Sequence, residues 1–475
     1  MMNEQTRQFV RDNAEKDVRA LALSGKKYPE VDMPFALDQI AGRQTARQKL
    51  PTWAEHDDII YPPHLSMEQC SSEQTARYKM ELVGEYSFKE CRSVGDRSVD
   101  NSQADRLSDS EANNLSTCQL VNLLTKTSNS STETIVDLTG GFGVDFSFMS
   151  RGFDKGVYVE QQAHLCEIAR DNFALLGMGN VEVVCADGVG FLRTMEPVTV
   201  IYLDPARRNE HGGKTYAISD CTPDVIEIKD LLLDKAKKVV VKLSPMLDWH
   251  KAVDDLDNCV SEVHIVSVDN ECKELLLVME RNVVELKVVC VNIQNSKIDV
   301  FEFEETWQLK KGVQECGSVD NSGSSNLLTR QLVNSSTEAT NSESPSLRGG
   351  FRWGPSSTFL YEPNASIMKT GCFEQLETAF GVKQLERNSH LFVSEYLIED
   401  FPGRKFKIET VTSLNKKDIK KALSGIDKAN ISVRNFPMSV NELRKRLKIK
   451  EGGSDYIFAT TLMDKSHVLL LCSRL

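Results

Sequence analysis

At 475 residues the chain is long enough for about three domains with separate cores. Its net charge of −12 argues against a protein that coats nucleic acid without specificity. No stretch approaches 18 apolar residues and the start, Met1 to Gln5, is polar, so neither a membrane span nor a secretory signal is expected and the expected location is cytoplasmic.

Residues 1–90 read as an N-terminal helical domain. Phe9, Val10, Val18, Leu21 and Leu23 recur at near-helical spacing, and Ser66 or Ser71 is placed to cap a later helix. Pro29, Pro34, Pro51, Pro62 and Pro63 exclude one long bundle.

Two segments, 91–130 and 312–349, read as low-complexity inserts. Both lie within stretches that lack aromatic residues and are rich in Ser, Asn and Thr, a composition that favours disorder. They share words: Ser98 to Ser102 recurs as Ser318 to Ser322, and Gln119 to Asn122 recurs as Gln331 to Asn334.

Between the inserts, residues 131–282 alternate β-rich and helical runs. A strand ends at Val136 and passes into Asp137-Leu138-Thr139-Gly140-Gly141-Phe142-Gly143-Val144-Asp145. Gly140, Gly141 and Gly143 let backbone come close to a ligand and deliver a helix N-terminus to it. A second apolar run ends at Glu160, 20 residues past Gly140, the spacing at which an acid accepts ribose hydroxyls. The G-G-x-G spacing departs from the dinucleotide G-x-G-x-x-G and argues against nicotinamide or flavin. It is similar instead to the first motif of class I S-adenosylmethionine (AdoMet) methyltransferases.

Val181 to Asp187 reads as a third strand ending in an acid, Val198 to Leu203 as a fourth, and Val239 to Leu243 as a fifth. The runs Val263 to Val268 and Leu275 to Met279 are separated by too few residues for a helical crossover, so they pair antiparallel. An antiparallel hairpin closing a parallel sheet is the methyltransferase ending; dinucleotide folds finish parallel. The expected fold is therefore α/β, a Rossmann-like seven-stranded class I sheet flanked by the N-terminal helices and C-terminal α+β domains.

Two further strands, Val284 to Ile293 and Ile298 to Phe303, fall in residues 283–311. They are too small for a core unless they pair with something beyond the second insert. Residues 350–475 alternate strands and helices. Within Phe401 to Lys450, fourteen Lys and Arg face four acids. Twelve cysteines without a C-x-x-C and eight histidines without helical spacing point to reduced thiols and to no metal site.

The segments Asp137 to Asp145, Asp204 to Arg208, Lys242 to Asp248 and Asn270 to Leu275 together resemble a bacterial family of AdoMet-dependent methyltransferases. That family carries a small ferredoxin-like domain, here expected to begin at 283–311, and a C-terminal THUMP-like domain, here expected at 350–475. The resemblance implies AdoMet as cofactor, with Asp137 near its amino-acid end, Gly140, Gly141 and Gly143 making room for it and Thr139 also among the cofactor-binding residues. It also implies Glu160 at the ribose and Asp187 facing the adenine. Asp204, Pro205, Ala206 and Arg207 stand where methyltransferases of base amines place an acid or amide, two prolines and an aromatic. Asp204 and Pro205 keep the hydrogen-bonding half of that motif, and the Arg207 guanidinium can stack on a base or fork onto a phosphate. Asp204, Pro205 and Arg207 are thus the expected catalytic residues.

Arg208, Lys214 and Lys242 add positive charge at the same end of the sheet. Trp353 and Tyr361 either stack on unpaired bases or pack in a core. The basic helix from Asn441 to Lys448, with Arg404, Lys416, Lys417, Lys420 and Lys421, is expected to form an RNA-binding face for tRNA or rRNA. A protein or small-molecule methyltransferase, or a non-catalytic AdoMet-binding RNA scaffold, is the alternative.

Overall fold

A computed structural model of the protein describes residues 3–23, 25–84, 132–207, 217–295, 297–306 and 358–475. The expected inserts at 91–130 and 312–349, and Arg208, Lys214 and Trp353, lie outside the described residues. The chain forms two units, Met1–Glu305 and Thr306–Leu475.

The first unit opens with helices α1 (Glu4–Asp12), α2 (Val18–Leu23), α3 (Met33–Lys49), α4 (Pro51–Ala54), α5 (His64–Gln69) and α6 (Glu73–Val83). The prolines punctuate them as expected: Pro34 and Pro51 sit in first turns, where a missing N–H costs nothing. Asn3 and Asp32 cap α1 and α3 through their side chains. The cap of α6 is Ser72 and not the expected Ser71, whose hydroxyl turns inward to Asp145.

Phe9, Val10, Leu21, Ala36 and Ile40 of α1, α2 and α3 form an apolar cluster of their own, while the helices as a whole fall in one unit with the sheet, Met1–Glu305. Trp53, Ile59, Tyr61, Met67 and Ala76 share one core with Phe142, Val144 and Phe148 of the glycine-loop region. The buried Asn172 amide spans both backbone groups of Ile60 at 2.9 Å, so the segment is also tied by hydrogen bonds.

The sheet has nine strands in the order β11-β10-β8-β9-β7-β4-β1-β2-β3. In chain order they are β1 (Thr134–Asp137), β2 (Lys155–Glu160), β3 (Val181–Cys185), β4 (Val198–Leu203), β7 (Ala236–Leu243), β8 (Val260–Val268), β9 (Glu271–Met279), β10 (Glu285–Gln294) and β11 (Lys297–Thr306). The short β5 (Ala206–Arg207) and β6 (Cys221–Thr222) pair apart from it. β3, β2, β1, β4 and β7 are parallel neighbours, and β9 inserts antiparallel between β7 and β8. Seven of the nine strands thus reproduce the expected class I order with its closing hairpin. The helices that follow β1, β2, β3, β6 and β7 are α7 (Val144–Met149), α8 (Ala163–Leu175), α9 (Gly188–Thr194), α10 (Val225–Lys235) and α11 (Trp249–Asp255).

A second correction concerns 283–311. Its strands do not begin a small domain: β10 runs parallel to β8, from Lys287 opposite Glu262 to Ile293 opposite Val268, and β11 lies outside it. The reason is apolar burial. Val289, Val291 and Ile293 pack with Val266, Val268 and Leu276 beneath Tyr78 of α6, so β8 is a covered interior strand and not a bare edge.

The second unit is a seven-stranded sheet ordered β13-β14-β12-β15-β18-β17-β16. Its strands are β12 (Phe359–Pro363), β13 (Lys383–Gln384), β14 (Phe392–Ser394), β15 (Gly403–Ser413), β16 (Asn430–Arg434), β17 (Asp455–Thr461) and β18 (His467–Arg474). Its helices are α12 (Ala365–Thr370), α13 (Phe373–Phe380), α14 (Lys416–Ala422) and α15 (Val440–Leu447). Leu443 and Leu447 of α15 and Ile419 of α14 sit on one apolar cluster with Ile457 and Leu469, so both basic helices cover the same side of this sheet. Tyr361 takes the core alternative: it is fully buried, and its hydroxyl donates to the carbonyl of Tyr396 at 2.9 Å.

Candidate cofactor and catalytic site

The carboxyl ends of β1, β2 and β4 lie side by side, and there the sheet collects Asp137, Thr139, Glu160 and Asp204. Parallel α/β sheets bind ligands in the crevice beyond those ends. Asp187 joins from the next strand along as the N-cap of α9, accepting the Gly190 N–H at 2.7 Å.

The three glycines of the loop do different things. A Cβ on Gly140 would lie 2.2 Å from the Tyr158 ring, and one on Gly143 would lie 2.7 Å from Phe173, so these two are required by packing against the core. Only Gly141, at φ +55°, faces open space, with nothing closer to its Cβ position than the Thr139 carbonyl at 3.7 Å. Its N–H donates to Glu160 at 2.9 Å, and the Gln162 N–H donates to the other carboxylate oxygen at 2.8 Å. Each oxygen keeps a lone pair for a further donor.

Asp137 is buried and accepts from the Thr139 N–H at 2.9 Å. Burial pushes its carboxyl up to about 8, the Thr139 N–H opposing and the Asp145 and Asp204 charges adding to the rise. The Thr139 hydroxyl in turn accepts from the backbone N–H of Asp204 at 2.6 Å, joining the glycine loop to the β4 motif. Pro205 is buried, and Arg207 lies on β5 with its backbone paired to Cys221. The Arg207 side chain, like residues 208–216, lies outside the described part of the structure.

Beneath Asp204 runs a row of charges that the sequence reading does not anticipate. Lys242, at the end of β7, places its ammonium 2.6 Å from Asp204, 3.1 Å from the Ser71 hydroxyl and 3.5 Å from Asp145. Lys79 of α6, fully buried, lies 3.2 Å from Asp145 and bonds Glu274. The hydroxyls of Ser71 and Tyr202 donate to Asp145 at 2.8 Å each. Burial opposes the charge on Asp145, but the two ammonium groups hold it down at about 2. Burial likewise opposes the charge on Lys242, and the Asp204, Asp145 and Glu274 carboxylates hold it protonated well above the usual lysine range. Lys242 was expected to offer charge to a phosphate; its charge is instead used inside the protein. Glu274 and Lys242 lie within the motifs that carry the family resemblance, which is a signal for them. Nothing in α6 distinguishes Lys79 from an exposed helix lysine.

Asp137, Glu160 and Asp187 together offer carboxyl oxygens as acceptors at this end of the sheet.

The ferredoxin-like domain model matches residues 359–402 and the THUMP domain-like model residues 403–474. The ferredoxin-like match therefore does not include residues 283–311. A crystal structure from Porphyromonas gingivalis W83, assigned provisionally as a methyltransferase, is similar over 99% of this chain and 97% of its own, at 26% identity and a TM-score of 0.71. An rRNA methylase from Streptococcus thermophilus matches 31% of this chain and 87% of its own at 17% identity, with a TM-score of 0.24. M. capricolum TrmK, bound to S-adenosyl-homocysteine, matches 36% of this chain and 70% of its own at 14% identity, with a TM-score of 0.25. The latter two matches are too slight to argue from. No curated protein sequence matches the chain. With the class I strand order, the whole-length likeness to the P. gingivalis structure and the two matched segments, the chain combines a class I methyltransferase fold with C-terminal ferredoxin-like and THUMP-like domains.

Proposed function

We propose that the protein is an AdoMet-dependent methyltransferase acting on structured RNA, tRNA or rRNA, with the THUMP-like segment as its RNA-docking module. The observation that carries this reading is the coupling of the two halves of the site. Thr139 of the glycine loop bonds the backbone of Asp204, and Glu160 bonds Gly141, so cofactor loop and acid-tipped strand form one hydrogen-bonded unit. Glu160 would take the ribose hydroxyls, Asp137 the ammonium of the amino-acid end and Asp187 the adenine. Bound AdoMet supplies an electrophilic methyl group.

The chain's own part is to aim and desolvate the nucleophile. One oxygen of Asp204 is held by Lys242, and the half-exposed carboxylate has a second oxygen with which to accept a hydrogen from an incoming N–H or O–H. Because Lys242 stays protonated, it serves as an electrostatic anchor and not as the base. Exposed lysines on α14 and α15, Lys416, Lys417, Lys420, Lys421 and Lys445, would neutralise RNA phosphates.

One observation favours a non-catalytic AdoMet-binding scaffold: Ala206 and Arg207 replace the second proline and the aromatic that base-amine methyltransferases use. The deciding experiment compares nucleosides from cells with and without the gene by mass spectrometry, alongside methyl transfer from labelled AdoMet to that RNA by the purified protein. A missing methylated nucleoside restored by the protein supports the enzyme. AdoMet binding with no missing nucleoside and no transfer supports the scaffold.

A further inference from the structure

Five charged side chains form a row of alternating sign: Glu274, Lys79, Asp145, Lys242 and Asp204. It begins in the core, where the Lys79 side chain has no exposure and that of Glu274 is 3% exposed. It ends at Asp204, 40% exposed at the mouth of the site. Removing such groups from water is costly, and apolar replacements of similar volume are often neutral or stabilising. Apolar contacts also hold α6 on the sheet. Tyr78 packs with Val266, Val268 and Leu276, and Val83 packs with Ile135 and Val240. Glu274 even leaves its second oxygen buried without a hydrogen-bond partner among the described residues.

What the row does achieve is an asymmetry at Lys242, which stands 2.6 Å from Asp204 and 3.5 Å from Asp145. Asp145 is the more deeply buried of the two acids, its side chain 11% exposed, so it has the greater need of a cation. It tolerates the longer distance because Lys79 faces its other oxygen at 3.2 Å as an ion pair, although that oxygen accepts no hydrogen bond among the described residues, and the Ser71 and Tyr202 hydroxyls donate to the near one.

We propose that Lys79, carried by a helix that precedes the methyltransferase sheet, is a positioning residue of the catalytic centre: by offsetting the charge of Asp145 it releases Lys242 to anchor Asp204. This rests on the methyltransferase reading for the meaning of Asp204, but not for the geometry. Without Lys79, the Lys242 ammonium moves to Asp145 and the Asp204 carboxylate loses its anchor.

The test is the double variant Lys79→Met/Glu274→Gln, which removes one charge of each sign and so avoids an uncompensated buried carboxylate at Glu274. Its crystal structure is expected to show Lys242 hydrogen-bonded to Asp145 and parted from Asp204. Turnover with the RNA substrate is expected to fall on the order of 10²-fold, the cost of misplacing a reacting group by about 1 Å. KM and AdoMet affinity are expected to stay within about twofold, the signature of a loss confined to the transition state. A folded double variant with Lys242 still on Asp204, or with unchanged kcat, overturns the proposal. The crystal structure judges it even if the wild-type protein fails to bind AdoMet in calorimetry, a result that would sink the methyltransferase reading alone. If the double variant does not fold, Lys79→Arg serves, and separation of Lys242 from Asp204 in that charge-preserving variant also counts against the proposal.

Discussion

The backbone N–H of Gly141 donates to the Glu160 carboxylate at 2.9 Å, so the loop and the acid expected to serve one cofactor hold each other in place. A site organised in advance loses less order on binding. AdoMet is therefore expected to bind with micromolar-scale affinity. Glu160→Ala should weaken it by roughly 1.5–3 kcal/mol, the worth of a hydrogen bond to a charged group. Isothermal titration calorimetry measures this; NADH binding in place of AdoMet would refute the assignment.

Asp137 gives a pH dependence whose sign can be worked out. Its carboxyl is raised to about 8 in the fold, against about 3.9 in an unfolded chain. Between these values the native state binds more protons than the unfolded one, so this group's contribution to stability is full at low pH and is lost as pH rises from about 4 to about 8. Asp137→Asn removes that slope. The melting temperature of the variant minus that of the wild type should climb across this window and level off above it; a flat difference would show that Asp137 is ionised at neutral pH.

Cofactor binding should shift the same group. An ammonium beside Asp137 favours the carboxylate, so AdoMet affinity should rise with pH up to about 8 and binding at pH 7 should release a proton. Calorimetry in buffers of different ionisation enthalpy counts it, and Asp137→Asn should abolish the release.

The loop glycines separate by what surrounds them. Gly140→Ala drives a methyl into the Tyr158 ring and should cost about 1–3 kcal/mol, the range for overpacking a core. Gly152→Ala meets nothing within 4 Å and serves as the control. Thermal unfolding checks both, and equal melting temperatures would mean that Tyr158 yields without strain.

For the docking module, Lys416, Lys417, Lys420 and Lys421 on α14 are better targets than the arginines of α15. Arg444 and Arg446 are partly used on the carbonyls of Ala429 and Leu414. Reversing the four lysines to glutamate should weaken RNA binding and reduce its salt slope by about 0.7–0.9 for each phosphate that is no longer neutralised, while AdoMet affinity stays unchanged. An unaltered slope would move the RNA surface off this helix.

Local chemistry wrote most of the fold into the sequence. Strand ends with acids at Asp137 and Glu160, the glycine loop and the short link between β8 and β9 are short-range features, and they lead directly to the class I order. The 283–311 expectation fails because a β-rich hairpin carries no mark of the strand it will pair with. β10 joins β8 through residues more than twenty positions away, and the apolar face of α6 decides the matter.

At the site, the sequence determined which acids and glycines stand at the carboxyl ends of the strands, because each is fixed by the strand it terminates. It could not determine what lies beneath Asp204. Lys79 and Glu274 are 195 residues apart and meet only once α6 has docked on the sheet. Lysine in an amphipathic helix reads as a solvated face until burial is known. Only tertiary structure decides whether such a charge points to water or to a buried carboxylate, because that depends on which helix covers which strands, a long-range outcome of packing.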